Sequence, residues 1–170
     1  MKYLVVSDIH GSIFYINKLE EIIQKELPDK IILLGDIFSN INTTNEEIVD
    51  ILNKYSNIMM YTKGNCDLAI TGCKFPINDY IKLIINNKLC FFTHGDRYNI
   101  NSLPSGVEIF IYGHLHTGFI KYHNILEVNC GSLSFPRGNS TNSYVIIDDK
   151  KIILKDLEGD LIDEFWFEWM

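Results

Sequence analysis

The stretch KYLVVSDIHGS, residues 2–12, sets the frame for the whole chain. Tyr3 to Val6 make an apolar run of the kind a strand buried on both faces requires. Directly behind it stand Asp8, His10, Gly11 and Ser12. In extended chain, residues i and i+2 point to the same side, so this spacing aims a carboxylate and an imidazole into one space at the strand's C-terminal end. One such pair is weak evidence, because a turn followed by a helix cap has the same composition. The test is whether other strand ends repeat it.

They do. DKIILLGD (29–36), NIMMYTKGN (57–65), KLCFFTHG (88–95) and IFIYGHLH (109–116) are each a short run, mostly β-branched or aromatic, that stops at a polar residue beside glycine. In an open α/β sheet, ligands bind beyond the carboxyl ends of the strands. There lie Asp8, His10, Asp36, Asn65, His94, His114 and His116, and of the five histidines only His123 falls elsewhere. All seven offer oxygen or nitrogen donors suited to Mn, Fe, Co, Ni or Zn. Seven ligands are too many for one tetrahedral ion but suit two divalent cations sharing a bridging carboxylate. Pairs of ions ~3.5–4 Å apart are a recurrent device for phosphoryl transfer to water. With Asp8, Asp36 and a bridging hydroxide set against two divalent ions, a charge of about +1 remains to draw in a phosphate anion.

The bulk numbers agree with a small enzyme. At 170 residues, 46% hydrophobic and 22% charged, the chain is expected to form one domain over residues 1–170 with a proper core. Its net charge of -7 argues against an extended nucleic-acid surface. Residues 1–10 have no secretory pattern, and no run approaches the ~18 apolar residues of a membrane span. Cys66, Cys73, Cys90 and Cys130 form no CxxC pair, which reads as reduced thiols in a cytoplasm; the last three are assigned to packing.

Helical patterns fill the early gaps. Ser12 can cap a helix with the stripe Ile13, Ile16, Leu19, Ile22, Ile23 and Leu27, closed before Pro28. Thr43 or Thr44 can cap NEEIVDILNKYS (45–56), whose Glu46 and Glu47 suit a helix start. The opening β-α-β-α-β order predicts a parallel sheet. Later, two strands meet at Asn86-Asn87 as a hairpin, and residues 143–169 give further strands joined at DDKK and at Glu158-Gly159-Asp160. The aromatic tail Phe165, Trp166, Phe167, Trp169 alternates as a core or subunit-interface strand would. The class is mixed α/β; whether it holds one large sheet or two stacked ones is open at this point.

Five ordered motifs, DIHG (8–11), GD (35–36), GNCD (64–67), THG (93–95) and GHLH (113–116), resemble those of the calcineurin-like metallophosphoesterases, and more narrowly their small bacterial and archaeal phosphodiesterase branch. The resemblance runs from Met1 to about Tyr144. It implies a four-layer αββα sandwich of two mixed β-sheets flanked by helices. It also implies one ion held by Asp8, His10 and His116, a second by Asn65, His94 and His114, and Asp36 bridging them. The ions would be Mn2+, with Ni2+, Co2+, Fe2+ or Zn2+ as substitutes, and a hydroxide bridging them would attack phosphorus in line. Asn65, Cys66, Asp67 and His94 would form the catalytic group. Many members of the wider family carry His where this chain has Cys66; a thiol is a poorer cationic donor than imidazole, which favours a small phosphodiester over a monoester. Self-association as a homodimer or homotetramer is likewise implied. The competing readings are a monoesterase of the same fold, a non-catalytic protein-binding scaffold sharing it, and a mononuclear zinc hydrolase, which would leave Asp36 and Asn65 unexplained. The loop Asn129–Ser132 and Arg137 are weaker signals near the site mouth.

Overall fold

A computed structural model describes residues 1–38, 45–68 and 70–170, the Trp169 side chain excepted. The caps expected of Thr43 or Thr44 and the Trp169 part of the aromatic tail lie outside the described residues. The elements follow in the order β1 (Tyr3–Val6), α1 (Ile13–Glu26), β2 (Lys30–Leu33), α2 (Asn45–Asn53), β3 (Met59–Thr62), β4 (Ile77–Asn78), β5 (Tyr80–Ile85), β6 (Lys88–Thr93), β7 (Ile109–Tyr112), β8 (Gly118–Tyr122), β9 (Leu126–Cys130), β10 (Ser143–Ile147), β11 (Lys151–Asp156) and β12 (Leu161–Trp166). A 3-10 turn, Phe167–Trp169, ends the chain.

The described residues form two sheets. A seven-stranded sheet runs β12-β11-β10-β1-β2-β3-β4, and a five-stranded sheet runs β5-β6-β7-β9-β8. The βαβαβ unit makes β1, β2 and β3 parallel, while β10, β11 and β12 form an antiparallel meander at its edge. In the smaller sheet β6, β7 and β9 are parallel and β5 and β8 antiparallel to their neighbours. The predicted hairpin closes at Asn86 and Asn87, both left-handed (φ 49° and 60°), as a two-residue turn matched to strand twist demands.

Alternation along the strands sorts the core into layers. Leu4, Val6, Ile31, Leu33, Tyr61 and Ile146 face α1 and α2 through Ile16, Leu19, Ile48 and Leu52. Their neighbours Val5, Ile32, Val145 and Ile147 point the other way, onto Cys90, Phe92, Ile109, Ile111 and Val128 of the second sheet. Two-sided burial is why these strands lack polar alternation. The expected sandwich of two mixed sheets is present, and its fourth layer has its own character. Phe91, Phe110 and Tyr112, on the outer face of the smaller sheet, are covered by Tyr98, Ile100 and Leu103 of a loop.

Two local expectations differ. Ser12 stands at the start of α1 but makes no side-chain cap hydrogen bond. Leu27, expected in the buried stripe, is 77% exposed, because α1 stops at Glu26 and Leu27 turns into a left-handed C-cap (φ 48°) before Pro28. Glu26 takes the inner place instead. The tail is a strand only to Trp166; Phe165 and Phe167 are buried between the sheets. All four cysteines are free; Cys90 and Cys130 are buried in the core.

Candidate metal centre

The five polar strand ends meet at one edge of the sandwich. β1, β2 and β3 of the larger sheet deliver Asp8 with His10, Asp36 and Asn65; β6 and β7 of the smaller deliver His94 and His114 with His116. The expected aim of Asp8 and His10 into one space is met, by a route other than extended chain. Asp8, His10, Asp36, His114 and His116 are all left-handed, with φ of 57°, 52°, 51°, 64° and 60°. Such residues cost about 1–3 kcal/mol each and persist only where the surroundings over-determine them. Here they do: Asp8 N–H donates to Gly35 O, Ile9 and His10 N–H to Asp36 O, and Gly11 N–H to Ile37 O, at 2.8–3.1 Å. The β1 and β2 ends are thereby stitched together.

Close packing holds the rest. A Cβ on Gly64 would overlap Asp36 Oδ1, and one on Gly113 would overlap Ser7 Oγ and stand 2.7 Å from Asp8 Oδ2. Ser132 Oγ donates to Asp8 O (2.6 Å), Ser134 Oγ to Asp8 O (3.1 Å) and Ile9 O (2.9 Å), and Asn129 Nδ2 to Gly113 O (2.6 Å). This loop after β9 clasps the two strand ends that carry most of the donors. The stretch Asn129–Ser132 was expected as a loop near the site mouth; Asn129 and Cys130 belong to β9 and Ser132 to the loop, while Ser134 carried no signal in the sequence.

The donors converge in a pattern that hydrogen bonding alone leaves incomplete. His116 Nδ1 donates to Phe135 O (2.7 Å) and His94 Nδ1 to Leu34 O (2.7 Å), so each neutral ring turns an Nε2 lone pair inward. His116 Nε2 lies 3.2 Å from His10 Nε2 and 3.1 Å from Asp8 Oδ1. Asp8 is wholly buried, yet Oδ1 has no hydrogen-bond partner among the described residues, while Oδ2 accepts from His114 N–H at 2.8 Å. His94 Nε2 stands 3.1 Å from Asn65 Oδ1, 3.2 Å from His114 Nδ1 and 3.4 Å from Asp36 Oδ2. Ligands ~2.1 Å from a shared ion stand roughly 3–3.4 Å apart, which these separations match. Donor atoms of Asp8, His10 and His116, of Asp8, Asp36 and His94, and of His10, Asp36 and Cys66 lie within 4.8 Å of one another. The residue set therefore fits a divalent cation.

Protons report the same field. Burial pushes the Asp8 and Asp36 carboxyls up, but the imidazoles of His10 and His116 for Asp8, and of His94 for Asp36, outweigh it and hold both below the usual carboxylate range. Burial disfavours a charged His94, yet the Asp36 and Asp8 carboxylates raise it to about 9. His114 is lowered by burial and by the charge on His94, and His116 is raised by the Asp8 carboxylate beside it. This anion-lined pocket accepts a proton at His94, and a metal ion taking that nitrogen displaces it.

Two expected catalytic residues separate here. Cys66 lies at the centre, its N–H donating to Asp36 Oδ1 (2.7 Å), its thiol pushed up to about 11 by burial and Asp36. Asp67 is 1% exposed and turns away. It accepts from Asp36 N–H (2.9 Å), Gly64 N–H (2.9 Å), Phe38 N–H (3.2 Å) and Tyr61 Oη (2.7 Å). Both of its oxygens are thus engaged by neighbouring groups. His123 is exposed and distant in the chain from any motif.

The calcineurin-like phosphoesterase superfamily domain model matches residues 1–151. The chain belongs to that superfamily. Phosphodiesterase YfcE of Escherichia coli K12 is 26% identical over 162 residues, covering 88% of each chain, and probable metallophosphoesterase YsnB of Bacillus subtilis is 27% identical over 178 residues, covering 96% of each. The solved E. coli YfcE, described as a phosphoesterase, superposes with a TM-score of 0.87 at 24% identity over 97% of this chain and 98% of that one. Vps29 of Entamoeba histolytica, solved with Zn2+, superposes with a TM-score of 0.67 at 19% identity over 98% and 99%. The fold is thus the metallophosphoesterase fold, and membership in the superfamily implies divalent metal ions. No helix among the described residues is long and apolar enough to cross a membrane.

Proposed function

We propose that residues 1–170 act as one unit, a cytoplasmic phosphodiesterase that holds two divalent cations, Mn2+ in the first place, and hydrolyses a small phosphodiester. Asp8, His10 and His116 hold one ion, Asn65, His94 and His114 the other, with Asp36 shared. The observation that carries this reading is Asp8 Oδ1, a fully buried carboxylate oxygen without a hydrogen bond, facing imidazole nitrogen at 3.1 Å. An ionised oxygen left so costs several kcal/mol unless a cation completes it. When bound, the ions supply Lewis-acid charge to the phosphoryl oxygens and acidify a water for in-line attack.

The chain's own residues supply the rest. Backbone carbonyls of Leu34 and Phe135 fix the tautomers of His94 and His116, so the inward nitrogens need no reorganisation. Asp67, through Asp36 N–H and Gly64 N–H, sets the approach of the shared carboxylate. Cys66 faces the substrate space as a neutral thiol, able to give a hydrogen bond but no positive charge. That suits a diester, with one negative charge, better than a monoester dianion. The name of E. coli YfcE supports the same choice. Retention of all seven donors disfavours a scaffold, which has no physical need of them. The test is metal content per chain beside turnover of bis(4-nitrophenyl) phosphate. About two ions with diester turnover above monoester turnover is the expected result; no metal and no turnover would reject it.

A further inference from the structure

The loop that clasps the centre carries two exposed side chains, Phe135 and Arg137. Phe135 is 64% exposed, yet its backbone is fully committed: its N–H donates to Ser132 Oγ (2.7 Å) and its carbonyl accepts from His116 Nδ1. The ring stands 6.3 Å centroid to centroid from the His116 imidazole and at 88° to it. Leu115, between the two donors His114 and His116, is also 44% exposed. A bare aromatic ring beside a cluster of metal donors leaves one face open to a flat partner.

Arg137 follows two residues later. Its N–H donates to His116 O (2.9 Å), which ties its main chain to the same donor. Arg97, the other arginine of the chain, is paired with Asp79 and Asp96. No ion pair is found for Arg137 among the described residues, although acidic side chains outnumber basic ones, 22 to 15. A guanidinium on a residue anchored to His116 in this way is able to pair with two oxygens of a phosphoryl group.

We propose that Phe135 and Arg137 form a substrate-recognition wall, Arg137 binding the phosphoryl oxygens and Phe135 stacking on a planar aromatic ring carried by an ester group of the substrate. This rests on the phosphodiesterase reading and narrows it to diesters of aromatic character, an aryl or nucleobase-bearing group among them. Ring stacking of this kind tolerates any flat π surface, so the wall sets a class rather than one compound.

The experiment separates this claim from the reading beneath it by measuring binding, not turnover. Phenylphosphonate and methylphosphonate, which carry no ester to hydrolyse, are titrated calorimetrically into the Mn2+-loaded protein. Wild type is expected to bind the phenyl compound about tenfold more tightly. Phe135→Ala and Phe135→Leu should both bring the ratio close to one with methylphosphonate affinity unchanged, the leucine variant separating a ring from mere apolarity. Arg137→Gln should weaken both ligands about tenfold and keep the ratio. A ratio near one in wild type, a preference that survives Phe135→Ala, or equal affinities for Arg137→Gln and wild type overturns the proposal. An intact, Phe135-dependent ratio in a protein without diester turnover would sink the phosphodiesterase reading and leave the wall standing.

Discussion

Two buried carboxyl groups in this molecule are treated in opposite ways. Glu26, at the end of α1, is 6% exposed and saturated: Lys155 Nζ stands 2.6 Å and Tyr144 Oη 3.0 Å from Oε1, and Lys2 Nζ 2.8 Å from Oε2. Burial raises its pKa, but Lys155, Lys2 and Tyr144 prevail and hold it at about 2. Asp8 is buried more completely and has one oxygen bare. Around Glu26 the chain supplies its own cations; around Asp8 it supplies imidazoles, which are cations only on loan of a proton. The first cluster stabilises the fold unaided, whereas the second is finished by something from outside.

Replacing Asp8 strikes at the heart of that contrast. Asp8→Asn should lower diester turnover by at least ~10³-fold and cancel most of the rise in melting temperature that Mn2+ gives wild type. A variant with wild-type turnover would remove the distinction. Glu26→Gln should act in the mirror sense, costing about 2 kcal/mol in urea denaturation with Mn2+ affinity unchanged; both lysines keep some solvent, which trims the usual penalty for a broken buried pair. The folded pKa lies below the unfolded value, so the Glu26 contribution is complete above roughly pH 4.5 and fades as the pH falls toward 2. Wild type should lose stability over that interval and Glu26→Gln should lose less. Ser132→Ala, which unties Asp8 O while Ser134 still holds it, should weaken Mn2+ binding by about tenfold in calorimetry and cost the fold about 1 kcal/mol. The finest probe is Cys66→His, which adds an imidazole to the centre: the ratio of monoester to diester turnover should rise at least ~10-fold in paired assays.

Sequence made the ends of β1, β2, β3, β6 and β7 legible because each is an apolar run halted by a donor beside glycine, and that pattern is local. It could not divide the strands between two sheets, since the choice rests on which of Val5 or Leu4 faces Phe92, a contact across most of the chain. Nor could spacing reveal that Asp8 and His10 converge through left-handed backbone, a conformation imposed by bonds to the β2 end. Asp67 stood in a motif of donors, and spacing gave no sign that its carboxylate accepts from four neighbouring groups. The clasp by Ser132 and Ser134 spans more than 120 positions to Asp8, out of reach of any periodicity. Glu26 looked like an ordinary helix residue because its partners, Lys2 and Lys155, come from the two ends of the chain.

The donors come from both sheets: Asp8, His10, Asp36 and Asn65 from one, His94, His114 and His116 from the other. Elsewhere the sheets meet through side chains such as Ile32 and Ile111, which grip without direction and permit sliding. An ion shared across that seam would work as a detachable cross-brace, fixing the register of one slab on the other. Chelation would then loosen the hold of one sheet on the other as it silences turnover, and susceptibility to proteases would follow the supply of metal.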